Sequence, residues 1–75
     1  MINQKKYDLA IEKFKRQVKL RPDNANAYDS LGDGYRAAGK FDEALASYQK
    51  AVEINPKFEA SQNNIEEIKE VMNKK

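Results

Sequence analysis

A chain of seventy-five residues has room for one small domain, and a core of that size rarely supplies more than ~3–5 kcal/mol of stability unaided. It has neither Cys nor His, which removes disulfides, thiol chemistry and thiolate metal sites, along with the commonest general base and transition-metal ligand. The net charge of +2 makes no case for nucleic acid or membrane, and no apolar run approaches the roughly 18 residues of a membrane span.

Charge is unevenly placed along the chain. Residues 1–24 hold seven Lys or Arg against three acids, residues 25–58 four against five, and residues 59–75 three against four. The opening MINQKKYDLA lacks the apolar core of a secretion signal, which favours the cytoplasm without fixing a compartment. Residues 4–22 read as a basic helix in which Lys5, Lys6, Lys13, Lys15, Arg16, Lys19 and Arg21 surround Tyr7, Ile11, Phe14 and Val18. Such a helix resembles in outline one that lies on a membrane or nucleic acid. The preferred reading is a packed apolar stripe with a solvated basic face.

Asp23 and Asn24 supply turn and N-cap chemistry for the next stretch, residues 24–58. Ala27, Tyr28, Leu31, Gly32, Tyr35 and Ala38 share one face of a first helix; Phe41, Ala44, Leu45, Tyr48, Ala51 and Val52 share one face of a second. Gly39 suits the left-handed position after the first helix, Asp42 the start of the second, and Asn55-Pro56 its end. Gly inside a helix costs ~1 kcal/mol relative to Ala, so Gly32, inward-facing like Ala44, predicts a close approach of two backbones.

Sliding the sequence by 34 positions lays Tyr7 on Phe41, Asp8 on Asp42, Ala10 on Ala44, Phe14 on Tyr48, Val18 on Val52, Leu20 on Ile54 and Pro22 on Pro56. Residues 4–22 thus read as the second helix of a preceding unit, and the chain is expected to open in mid-repeat. Residues 59–73 align with a first helix, but only Ser61, Ile65, Ile68 and Met72 stay in a narrow stripe. Glu66 and Lys69 stand where Gly32 and Tyr35 do, as in a terminal capping helix with a polar back. The expected fold is all-α: a single domain over residues 1–75 of about four helices in antiparallel helix-turn-helix pairs.

The spacing Tyr28-x2-Leu31-Gly32-x2-Tyr35, then Ala44-x3-Tyr48, then Pro56 resembles the tetratricopeptide repeat, with Tyr where that family usually has Trp and Phe. The resemblance implies an α-solenoid fragment of one complete repeat and flanking half-repeats. It implies a non-catalytic module that takes a peptide or partner helix in a concave groove lined by first helices. The residues it places there are Asn26, Asp29, Asp33 and Arg36, with Asn63 and Glu67 beside them. Chaperone-binding members clamp a terminal carboxylate with Lys, Arg and Asn on this surface. Asp29 and Asp33 disfavour that ligand, and an acidic groove should prefer neutral or basic segments. The nine residues AYDSLGDGY also resemble repeats found as tails on some bacterial serine hydrolases, which would make the chain an accessory segment.

Two further motifs read as structure. Gly34-Tyr-Arg-Ala-Ala-Gly39-Lys40 matches the letter of a phosphate-binding loop, but Phe41 follows where Ser or Thr is needed and most of the match falls inside a helix. Asp29 and Asp33 are spaced as paired carboxylates, yet an open helix face lacks the burial and extra oxygens that catalysis or a metal requires. No cofactor or metal is expected. Solenoid units bury their cores by stacking, so the apolar set Tyr7, Ile11, Phe14 and Val18 is an expected self-association face, with a homodimer as the alternative to a foreign protein partner. Nucleic acid rests only on the basic first helix and is disfavoured.

Overall fold

The computed structural model describes residues 4–74, without the side chains of residues 4 and 5, so Lys5 of the basic set lies outside the described side chains. Helix α1 spans Gln4–Leu20, α2 Ala25–Ala37, α3 Phe41–Ile54 and α4 Glu59–Asn73, with no strand among the described residues. Each helix packs mainly on its sequence neighbours, giving a slab 35 × 30 × 14 Å. Its thin dimension is that of two packed helices, since one helix is about 4.6 Å across its Cα atoms and neighbouring axes lie about 8–10 Å apart. No helix among the described residues is long and apolar enough to cross a membrane.

The turns follow from local chemistry. Asn24 caps α2, its side chain accepting from the Asn26 amide at 2.9 Å. The end of α2 closes as a Schellman turn, in which Lys40 N–H donates to the Tyr35 carbonyl at 2.8 Å and Gly39 N–H to that of Arg36 at 3.0 Å. Gly39 holds φ 79°, a conformation that costs any residue with a Cβ. α3 begins at Phe41, one residue before the expected Asp42, with no side-chain cap. Asp42 and Glu43 instead meet the positive end of the helix dipole in its first turn. Pro22 and Pro56 occupy matching turns, where Asn24 N–H donates to Arg21 and Phe58 N–H to Asn55. Asn24→Ala should cost about 1 kcal/mol by loss of the cap, read as a lower midpoint in urea with an unchanged slope.

Tyr48 sits at the centre of the core, fully buried with Ala44 and Ile68, and ringed by Tyr35, Phe41, Leu45, Ile65 and Met72. Gly32 lies against it. A Cβ there would stand 2.6 Å from Tyr48 Cε1, so the close approach that Gly32 permits is between a backbone and an aromatic ring, where the sequence predicts two backbones. Gly34 is buried in α2 and faces Phe14 and Ile11 of α1, which leaves no phosphate-binding loop at that motif.

Candidate functional site

Three side chains of α2 reach sideways from the core and join it to its neighbours. Asp33 accepts a hydrogen bond from the Tyr48 hydroxyl of α3 at 2.5 Å. Asp29 accepts from Ser61 Oγ at 2.7 Å and from Asn64 Nδ2 at 3.2 Å, both on α4. Arg36 donates to Asn64 Oδ1 at 3.4 Å and pairs with Glu67 at 3.1 Å. α2 and α4 are thus coupled by a polar seam through Asp29 and Arg36, two helix turns apart at i and i+7, while Asp33 between them at i+4 ties α2 to α3.

This seam is where most of the expected groove residues are found. Asp29 and Arg36 are half-buried and committed to α4; Asp33 and Glu67 are exposed, each with one partner within the chain. Asn26 and Asn63 are exposed. Asp29 and Asp33 turn to different helices, and among the described residues no group of three or more carboxylates gathers to hold a metal. Tyr48, Ser61 and Asn64 belong to the seam although the sequence reading does not place them in the groove. A signal for Ser61 and Asn64 exists: in a 34-residue repeat, first helices lie side by side, so polar partners 28 to 35 positions apart can be sought directly.

Burial pushes the Tyr48 phenol well above the ordinary tyrosine range; the bond to Asp33 adds to this, while Arg36 opposes it. For Arg36, burial acts to lower the pKa, but hydrogen bonds and attraction to Glu67 and Tyr48 outweigh it and the net shift is upward. Since the Tyr48 pKa is raised on folding, its contribution is complete below the unfolded value of about 10 and is lost as pH rises through the folded value. Stability should therefore fall in base above about pH 10, and Tyr48→Phe should flatten part of that fall. Identical base titrations for the two chains would rule out Tyr48 as the responsible group.

The α1 set divides. Ile11 is only 4% exposed and turned onto α2, so it offers nothing to a second copy. Tyr7, Phe14 and Val18 are half-buried, and the apolar side chains that α1 leaves in solvent are Leu9 at 66% and Leu20 at 71% exposure. Lys15 stands with its Nζ 5.9 Å from the centre of the Tyr35 ring.

A tetratricopeptide repeat family model matches residues 25–58. The small glutamine-rich tetratricopeptide repeat-containing protein 2 of Mycosarcoma maydis is 34% identical over 64 residues, 85% of this chain and 18% of that protein. The probable UDP-N-acetylglucosamine–peptide N-acetylglucosaminyltransferase SPINDLY of Petunia hybrida is 42% identical over 50 residues, 67% of this chain and 5% of that protein. The peroxisomal targeting signal receptor of Candida albicans is 30% identical over 59 residues, 79% of this chain and 10% of that protein. The chain spans less than a fifth of each of these relatives.

Proposed function

From the premise that this chain carries a tetratricopeptide repeat at residues 25–58 and belongs to that family, we propose that it binds an extended peptide across the polar seam of α2 and α4. The repeat is a protein-interaction module; the seam is the reading of where and what it binds. One observation carries that reading: the seam holds three carboxylates, Asp29, Asp33 and Glu67, against one guanidinium, Arg36. Asn26 and Asn63 flank it as exposed amides, suited to the backbone of an extended segment. The preferred segment is neutral to basic, because a basic side chain meets the unshared oxygens of Asp33 and Glu67. The chemistry asked of the module is recognition without catalysis, with no cofactor.

The test is a set of labelled peptides of equal length, one Lys-containing, one Gln/Ser-containing and one Glu-containing, titrated with the intact chain. The Lys peptide should bind several-fold more tightly than the Glu peptide, in line with ~0.2–1 kcal/mol per exposed charge pair, and the difference should shrink with salt. Asp33→Asn with Glu67→Gln should erase the difference. Equal binding of all three peptides, or preference for the acidic one, would defeat the assignment.

A further inference from the structure

The 34-residue register sets α1 on α3 and pairs each solvent-facing side chain of one with a counterpart on the other. Asp8, Leu9, Glu12, Lys15, Arg16 and Lys19 answer to Asp42, Glu43, Ala46, Gln49, Lys50 and Glu53, and all twelve are exposed. α3 is packed by α2 on one side and α4 on the other, so these positions stay open even on a helix with both flanks covered. Their exposure on α1 belongs to the register and not to the place where the sequence begins.

The positions match, but the chemistry does not. α3 carries three acids and one cation there, α1 three cations and two acids. Glu43 gives way to Leu9, which is 66% exposed, and Glu53 to Lys19. On α3, Lys50 pairs with Glu53 at 3.7 Å; on α1 the same two places hold Arg16 and Lys19, with Lys15 one turn from Lys19. Like charges at such spacings destabilise a helix. The two ion pairs among the described residues, Arg36–Glu67 and Lys50–Glu53, use none of the three cations. A shallow hollow of about 400 Å³ lies among them and Glu12.

We infer that this outward face of α1 docks an acidic segment of a partner protein, its carboxylates meeting Lys15, Arg16 and Lys19 and an apolar side chain covering Leu9. Leu9 and Arg16 stand at i and i+7 on one stripe, about 10 Å apart along the axis, a distance an extended segment spans in about three residues. Charge complementarity sets the sign of the partner, and the rest of the face sets its class. Asp8 and Glu12 interrupt the cations, which opposes the unbroken phosphates that a nucleic acid or an anionic membrane would lay along the helix. A phosphate backbone has no use for Leu9, and one Leu is too little apolar surface to hold a helix in lipid. The outward face of α3 in a second copy brings acids, but Glu53 is already paired and Ala46 is its largest apolar side chain. Discrete carboxylates beside an apolar residue satisfy every feature. The surface is separate from the acidic seam, which belongs to α2 and α4.

The probe is a labelled peptide with a run of Glu and a Leu about three residues from it, titrated into the isotope-labelled intact chain while backbone amide shifts are followed. A weak, saturable association is expected, with shifts at Leu9, Glu12, Lys15, Arg16 and Lys19, and it should weaken several-fold as salt is raised. Leu9→Glu, Lys15→Gln and Lys19→Glu together give α1 the side chains that α3 carries. All three sites are exposed, so the helical signal should be kept while affinity falls at least tenfold. Comparing Lys and Glu peptides in that variant reports the seam alone, so the two surfaces stand or fall separately. Saturable binding that ignores the triple exchange, shifts confined to the seam, or no saturable shift would overturn the proposal. So would tighter binding of an oligonucleotide or of phosphatidylserine vesicles at the same residues, or self-association that buries Leu9 without peptide.

Discussion

Tyr48→Ala is expected to leave the chain largely unfolded at room temperature. Truncating a fully buried aromatic costs ~3–5 kcal/mol, which is as much as a core of this size supplies in total. The location of Tyr48 leaves little to soften that loss. Its ring contacts the backbone of α2 at Gly32, it packs with Ile68 of α4, and its hydroxyl bonds Asp33, so one side chain holds three of the four helices. Far-UV circular dichroism should show most helical signal lost, and an osmolyte such as sucrose should restore part of it. Tyr48→Phe separates the two roles. It keeps the ring and loses only the hydrogen bond, a change of ~0.5–1.5 kcal/mol, and the domain should remain cooperative with a lowered midpoint. A cooperative Tyr48→Ala domain of near-native stability would mean that the core is not organised around this ring.

The helices were legible because each is specified locally. Asn24, Gly39 and the prolines mark the turns by backbone chemistry that needs no knowledge of the rest of the chain, and Tyr28, Leu31 and Tyr35 define an inward face by spacing alone. The sideways faces were less legible. Asp29, Asp33 and Arg36 read as partner contacts on an open helix face, whereas the structure sets Asp29 and Arg36 against α4 and ties Asp33 to Tyr48. A helix in this fold has two packed flanks, and which polar residue lies on the second flank depends on the rotation of a helix some 30 residues away. Ile11 illustrates the same limit from the apolar side, since its spacing cannot say whether α2 or an absent neighbour covers it, and α2 does.

Gly32→Ala is the second substitution expected to act strongly, and its sign separates local propensity from packing. In a helix interior the change should by itself stabilise by ~1 kcal/mol. Here the added carbon would stand 2.6, 2.7 and 2.9 Å from three ring atoms of Tyr48, and a fully buried ring anchored through its hydroxyl to Asp33 has little room to retreat. Overpacking of this kind costs ~1–3 kcal/mol, so the net effect should be a loss despite the propensity gain. The other glycines grade the argument. Gly34→Ala meets Phe14 at 3.1 Å, but that ring is only half-buried and can yield, so a near-neutral change is expected there. Gly39→Ala meets nothing within 4 Å and suffers only from φ 79°, a strain of ~1 kcal/mol with no dependence on Tyr48. A double-mutant cycle decides the matter. In a Tyr48→Leu background, kept folded with sucrose, Gly32→Ala should become neutral or stabilising, a coupling of ~1–3 kcal/mol, whereas Gly39→Ala should cost the same in both backgrounds. If Gly32→Ala stabilises the chain that retains Tyr48, the ring does not lie where the core requires it.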